Sequence, residues 1–144
     1  MRLCPASLAL ALMTFAVSAC TDDANADTGE AGLACVSIDY EGCSLLYPPT
    51  YEQVWAQTLE PSCGAETCHP SGGPVGSLTF DDPDTTFEEL FAGEHVIAGD
   101  PHCSPLMIRL ETDDPSLRMP PGNTPLLEGA RCSIATWIAE GAQP

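Results

Sequence analysis

Apolar residues in this chain fall into short clusters separated by proline and glycine. Leu8 to Val17 is a nearly unbroken apolar run behind Arg2. Residues 21–32 then hold no large apolar side chain. Beyond Thr50 the clusters take on a helical period. Thr50-Tyr51-Glu52-Gln53 fits a capping box, a hydroxyl three residues ahead of a glutamine, and Val54, Trp55 and Leu59 follow. This predicts a helix from Thr50 to Leu59, ended by Pro61 because proline lacks the N–H. Asp82-Pro83-Asp84 starts a second helix, with Thr85-x-x-Glu88 as capping box, Phe87, Leu90 and Phe91 on one face, and Gly93 as its left-handed closing residue. Ser104-Pro105 opens a third, carrying Leu106, Met107, Ile108 and Leu110. Thr124-Pro125 opens the last, with Leu127, Ile134 and Ile138 as its buried stripe, Ala130 and Trp137 beside it, and Gly141 at its end. Leu78 and Phe80 alternate in a short extended piece, and Val96-Ile97-Ala98-Gly99-Asp100-Pro101 is extended before it turns. The fold class is mainly α: three to four short helices with long Pro/Gly-rich loops over residues 45–144. Few aromatics and short helices make a thin core, which a buried apolar cofactor would complete.

The ends of the chain carry addressing information. Arg2, the apolar run and small residues before Cys20 have the plan of a secretory signal over residues 1–19. The run is too short to span a bilayer. Val17-Ser18-Ala19-Cys20 resembles a lipobox, which implies cleavage before Cys20 and lipidation of its thiol. Residues 20–34 read as a disordered acidic tether and 35–44 as a disulfide lead-in. The expected location is outside the inner membrane: an anchored lipoprotein facing the periplasm or the cell surface.

Charge narrows the partners. The chain has no lysine, and with Arg2 removed Arg109, Arg118 and Arg131 face 21 acids. Nucleic acid is excluded as a partner, because phosphate binding needs cations. A partner protein with a basic docking face suits this surface.

Eight cysteines behind an export signal indicate an oxidising compartment. Cys4 leaves with the signal and Cys20 takes lipid, so Cys35, Cys43, Cys63, Cys68, Cys103 and Cys132 remain. Cys63-Gly64-Ala65-Glu66-Thr67-Cys68-His69 places two cysteines directly before a histidine. That is the arrangement for covalent haem, with thioethers to two vinyl groups and histidine as the proximal iron ligand. Its linker is two residues longer than the usual C-x-x-C-H; a longer peptide still reaches both vinyls but must bulge. The competing reading is a Cys63–Cys68 disulfide followed by an ordinary histidine. A zinc site from Cys63, Cys68, His69 and one further ligand is a third. With haem on Cys63 and Cys68, four cysteines allow three pairings. The pairing expected is Cys35–Cys43 and Cys103–Cys132, contributing about 2.5 and about 3.6 kcal/mol by loop entropy. No G-x-S-x-G or H-E-x-x-H occurs.

From Leu45 to Ala142 the chain resembles the planctomycete-type cytochrome c domains. The pieces occur in the family's order: a helix before Cys63 to His69, then Gly76-Ser77-Leu78-Thr79-Phe80, then Val96 to Pro101 with Ser104-Pro105-Leu106. Met119-Pro120-Pro121-Gly122 and Ile134-Ala135-Thr136-Trp137-Ile138-Ala139-Glu140-Gly141-Ala142 complete the series. The resemblance implies one haem c, with Cys63 and Cys68 as attachments and His69 and Met119 as axial ligands. It implies a small cytochrome c-like domain acting as an exported, lipid-anchored electron carrier and not as an enzyme. First and last helices are expected to pack together, with Trp55 near Ile134 and Ile138. Met107, His95 and His102 are rival distal ligands, and Arg109 and Arg118 are candidate partners for haem propionates. The alternative function is a haem-free, disulfide-stabilised lipoprotein acting as a binding or structural module.

Overall fold

The computed structural model describes residues 33–64, 68–69, 78–122 and 124–144. The expected signal peptide, the lipidated Cys20, almost all of the tether, and Gly76 and Ser77 lie outside the described residues. Among those described, the protein is helical with no strand.

The first helix, α1, begins as drawn from sequence but runs further. Thr50 caps it by accepting from the Gln53 N–H. Tyr51–Val54 is α-helical, Trp55–Leu59 is a π-helical turn, and Glu60–Cys63 is α-helical again. Pro61 therefore does not end the helix. Proline clashes with the carbonyl four residues back and donates no hydrogen bond. The π turn widens the helix just ahead of it, with the Glu60 N–H bonding the Trp55 carbonyl five residues back. The chain passes Pro61 and stays helical to Cys63.

Helix α2 is Pro83–Ala92. Its cap is Asp82, whose carboxylate accepts from the Thr85 N–H at 2.8 Å, so the Thr85 capping box is not used. Pro83, with its fixed φ, already supplies the first helical residue. Gly93 is not the left-handed residue either; Glu94 takes that role at φ 54°. Glycine at 93 instead admits the His95 ring, whose Nε2 would lie 2.5 Å from an added Cβ. Helix α3 is Pro105–Glu111, begun as expected at Ser104-Pro105. The Ser104 hydroxyl turns away from the helix and donates to the Asp100 carbonyl at 2.7 Å. Helix α4 is Glu128–Ala139, so Thr124-Pro125 precedes it rather than opening it. Its end matches the expectation. Gly141, at φ 100°, leads a closing motif in which Gly141 and Ala142 N–H groups bond Ile138 and Trp137 carbonyls.

Val54, Leu59, Leu90, Met107, Ile134, Trp137 and Ile138 are fully buried together, drawing on all four helices. Each such side chain contributes about 1.5–3 kcal/mol. Helices α1 and α4 meet where the Tyr51 ring lies 5.6 Å from Trp137. Tyr51 also packs edge-on to Phe87 of α2 at 4.9 Å. Tyr51, one turn ahead of half-buried Trp55, is thus the ring that seats α1 on α4. Protein side chains fill this centre, so it does not rely on a cofactor for its apolar contacts.

The lead-in corrects the expected disulfides. The bridges are Cys35–Cys103 and Cys43–Cys132, not Cys35–Cys43 and Cys103–Cys132. The lead-in lies along the helical body, so each cysteine faces a distant partner. The Val36 N–H bonds the His102 carbonyl at 2.9 Å, and the Leu46 N–H bonds the Gly129 carbonyl at 3.0 Å. Ser133, fully buried on α4, accepts from the Leu46 and Tyr47 N–H groups and donates to the Tyr47 carbonyl. Closing such long loops contributes about 4.5 kcal/mol each in the chain-entropy picture, well above the about 2.5 kcal/mol of a Cys35–Cys43 loop.

Non-reduced peptide mapping is expected to recover Cys35–Cys103 and Cys43–Cys132 linked peptides. Replacing Cys43 and Cys132 together by alanine should cost about 2–5 kcal/mol of unfolding free energy, read from denaturant midpoints. A Cys35–Cys43 peptide would contradict the traced path of the lead-in.

Candidate functional site

The extension of α1 past Pro61 is what delivers Cys63, its last residue. The chain then leaves through Gly64, where an added Cβ would meet the Glu60 and Phe80 carbonyl oxygens at 2.8 and 3.0 Å. Only glycine lets the backbone pass there without displacement. The His69 N–H bonds the Cys63 carbonyl at 3.2 Å, and the Phe80 N–H bonds the His69 carbonyl at 3.1 Å. Cys63, His69 and the 78–80 segment are thereby laced together by backbone bonds.

The His69 ring is fixed in the same way. Its Nδ1 lies 3.1 Å from the Leu78 carbonyl oxygen. A carbonyl only accepts, so Nδ1 carries the proton and Nε2 keeps its lone pair. Phe80 packs edge-on against the ring at 5.4 Å. An imidazole held by Nδ1–H to a backbone carbonyl is fixed in orientation with Nε2 left as the ligating atom, as metal-ligating histidines are.

Met119 comes from a separate part of the chain, on the loop after α3. Its N–H bonds the Arg109 carbonyl of α3 at 2.9 Å. Ser62, Cys63, Cys68, His69, Met119, Pro120 and Pro121 line one cleft of about 100 Å³. All four residues that sequence singled out for haem are in it. The rivals are elsewhere. Met107 is fully buried in the core. His102 Nδ1 sits 3.0 Å from the Val36 oxygen and 3.3 Å from the Ile38 nitrogen, bound to the lead-in. The His95 ring packs over Gly93. Two of the arginines meet acids: Arg118 with Asp113 at 3.0 Å, and Arg131 with Glu111 at 2.8 Å. Arg109 bonds the Leu117 carbonyl. Sequence reasoning missed Ser62, which the helix brings to the cleft only because it continues through Pro61. It also missed the Leu78 carbonyl, a backbone group with no residue-type signal.

The donor set suits a c-type haem: two thiols outside the disulfides, an imidazole nitrogen with its lone pair kept, and a thioether. A porphyrin needs more room than the cleft holds. The cleft therefore marks where the four groups converge and is not a finished haem pocket. Among the described residues no group of three or more His, Cys, Asp or Glu is set to hold a metal ion. A histidine–methionine pair would not form such a group, whereas the zinc reading requires one.

A family model described as planctomycete cytochrome C matches residues 66–123. That match supports a planctomycete-type cytochrome c domain in this part of the chain. Within the matched segment lie Cys68, His69 and Met119, together with α2 and α3. Cys63, α1 and α4 stand outside it. No curated protein and no solved structure matches the chain.

Burial pushes the Cys63 thiol up from 9.0 to about 12, with the nearby Cys68 adding to the shift. Burial also raises Tyr47, whose hydroxyl bonds Thr58, and Tyr51, whose hydroxyl donates to the Pro83 carbonyl. For each of these acids the unfolded chain ionises first as pH rises. Their stabilising contribution is intact below pH 9 and is lost from pH 9 upward, Cys63 leading between 9 and about 12. Haem-free protein should lose thermal stability over that range, and Cys63→Ala should remove the earliest part of the loss. At pH 8, iodoacetamide should label native Cys63 far more slowly than denatured Cys63, as read by mass spectrometry. Equal labelling would show the thiol to be exposed.

Proposed function

We propose that this protein is an exported, lipid-anchored electron carrier with one covalently attached haem c. The observation that carries the reading is the convergence of Cys63, Cys68, His69 and Met119 on one cleft from two separate parts of the chain. Cys63 and Cys68 provide the thioether attachments, His69 Nε2 the proximal ligand and Met119 sulfur the distal one. Bound haem supplies one-electron Fe(II)/Fe(III) chemistry, with a potential raised by methionine opposite histidine. The chain's own part is to hold the two axial groups. Leu78 fixes the imidazole, and the α3 backbone fixes the methionine loop. Held by both His69 and Met119, the haem iron would keep no open position for a substrate, which favours an electron carrier over an enzyme. Its charge of −17 favours a redox partner with a basic docking face. The signal over residues 1–19 and the lipobox at Cys20 put the domain on a tether, anchored to a membrane and facing the periplasm or cell surface.

A second reading has an observation in its favour. Two long-range disulfides and a core filled by side chains hold the fold together without haem. The protein would then be a structural or binding lipoprotein.

Expression of the full chain in a host with c-type haem maturation separates the two. The expected product is red, shows sharp reduced bands with dithionite, and keeps its haem through acid–acetone extraction. Met119→Ala should abolish the low-spin His/Met spectrum while leaving the haem attached. A colourless product from that host would overturn the electron-carrier reading.

A further inference from the structure

The loop that presents Met119 is tied back to α3 by both of its flanking arginines. We propose that Arg109 and Arg118 are positioning residues that clamp residues 117–119, holding the Met119 sulfur at the cleft. This rests on the electron-carrier reading of the cleft.

The bonds form a closed circuit. Arg109, on α3, donates from Nη1 to the Leu117 carbonyl at 3.4 Å. Its own carbonyl accepts from the Met119 N–H at 2.9 Å. Arg109 thus grips the chain on either side of residue 118. Arg118 reaches back the other way. Its Nε donates to the Thr112 carbonyl at 2.9 Å, at the end of α3, and its Nη2 meets Asp113 at 3.0 Å. Asp114 closes the inside of the loop. Its carbonyl accepts from the Leu117 and Arg118 N–H groups, and its carboxylate accepts from the Ser116 N–H at 2.8 Å. The result is a compact loop whose exit residue is Met119.

The magnitudes rank the bonds. The Arg118 side chain is 18% exposed, while Asp113 is fully exposed. An exposed ion pair contributes little, since water and salt screen it. A charged donor on a backbone carbonyl, sheltered by the arginine's own stem, contributes more. The clamp is therefore the Thr112 and Leu117 carbonyl bonds, and the Asp113 pair is an accessory. A thioether is a weak ligand, so its hold on iron depends on how little the loop must be reordered to present it.

The test has two arms on the full chain. In the haem-free protein, Arg118→Ala should speed amide hydrogen exchange at Met119 by about tenfold or more, with α4 amides unchanged. Arg118→Lys should fall between, because a flexible ammonium lacks the planar, pre-organised fork that fixes the bond to the Thr112 carbonyl. Asp113→Asn should stay within about twofold of the parent. In the haem-loaded ferric protein, added imidazole should displace Met119 from iron at about tenfold lower concentration in Arg118→Ala, in the same rank order of variants. Parent-like exchange at Met119 would overturn the clamp. So would an acceleration shared equally by α4, which would show a general loss of stability. If the chain takes up no haem, the exchange arm still decides the clamp, and only the electron-carrier reading falls.

Discussion

Everything at the cleft depends on one constraint: the end of α1 and the turn at His69 must stay in register. The His69 N–H on the Cys63 carbonyl and the Phe80 N–H on the His69 carbonyl set that register with backbone groups alone. The π turn at Trp55–Leu59 makes it possible. Without the wider turn, Pro61 would stop the helix two residues before Cys63, and the thiol would sit on a loop. A π turn costs regular hydrogen bonding, and such turns concentrate at functional sites. Here the return is a thiol fixed to a rigid rod.

A cleft defined this way needs support from the rest of the chain. The lead-in provides it. It crosses the helical body, anchored by a disulfide ahead of α3, a second one on α4, and the buried Ser133 hydroxyl between strand-like backbone and helix. Tyr51, Trp137 and Phe87 tie α1, α4 and α2 at the other side of the core. The apolar centre the sequence lacked on paper is assembled from four short helices at once, each contributing at least one fully buried apolar residue. Short helices of this kind draw their stability from shared packing and not from their own propensity.

Local chemistry was legible in the sequence; long-range geometry was not. Thr50, Ser104-Pro105 and Gly141 marked helix ends correctly, because caps and left-handed closers act on near neighbours. Asp82-Pro83 likewise began α2 where the sequence placed it, though Asp82 and not Thr85 supplies the cap; Thr124-Pro125 misled, since α4 starts only at Glu128. The four residues of the cleft were identified by type and order, although 50 positions separate His69 from Met119. The disulfide pairing was not readable. Which cysteine faces which follows from the path of residues 33–47 over the helices, and no local pattern encodes a path.

The crossed order of the two bridges has a covalent consequence. Cys35 and Cys43 both lie before the cleft, and Cys103 and Cys132 both lie after α2. A single cut by a protease anywhere from 44 to 102 leaves the two pieces joined twice over. Wherever thiol reductants are scarce, a nicked molecule would keep its halves aligned. It would come apart into two bands only on a reducing gel.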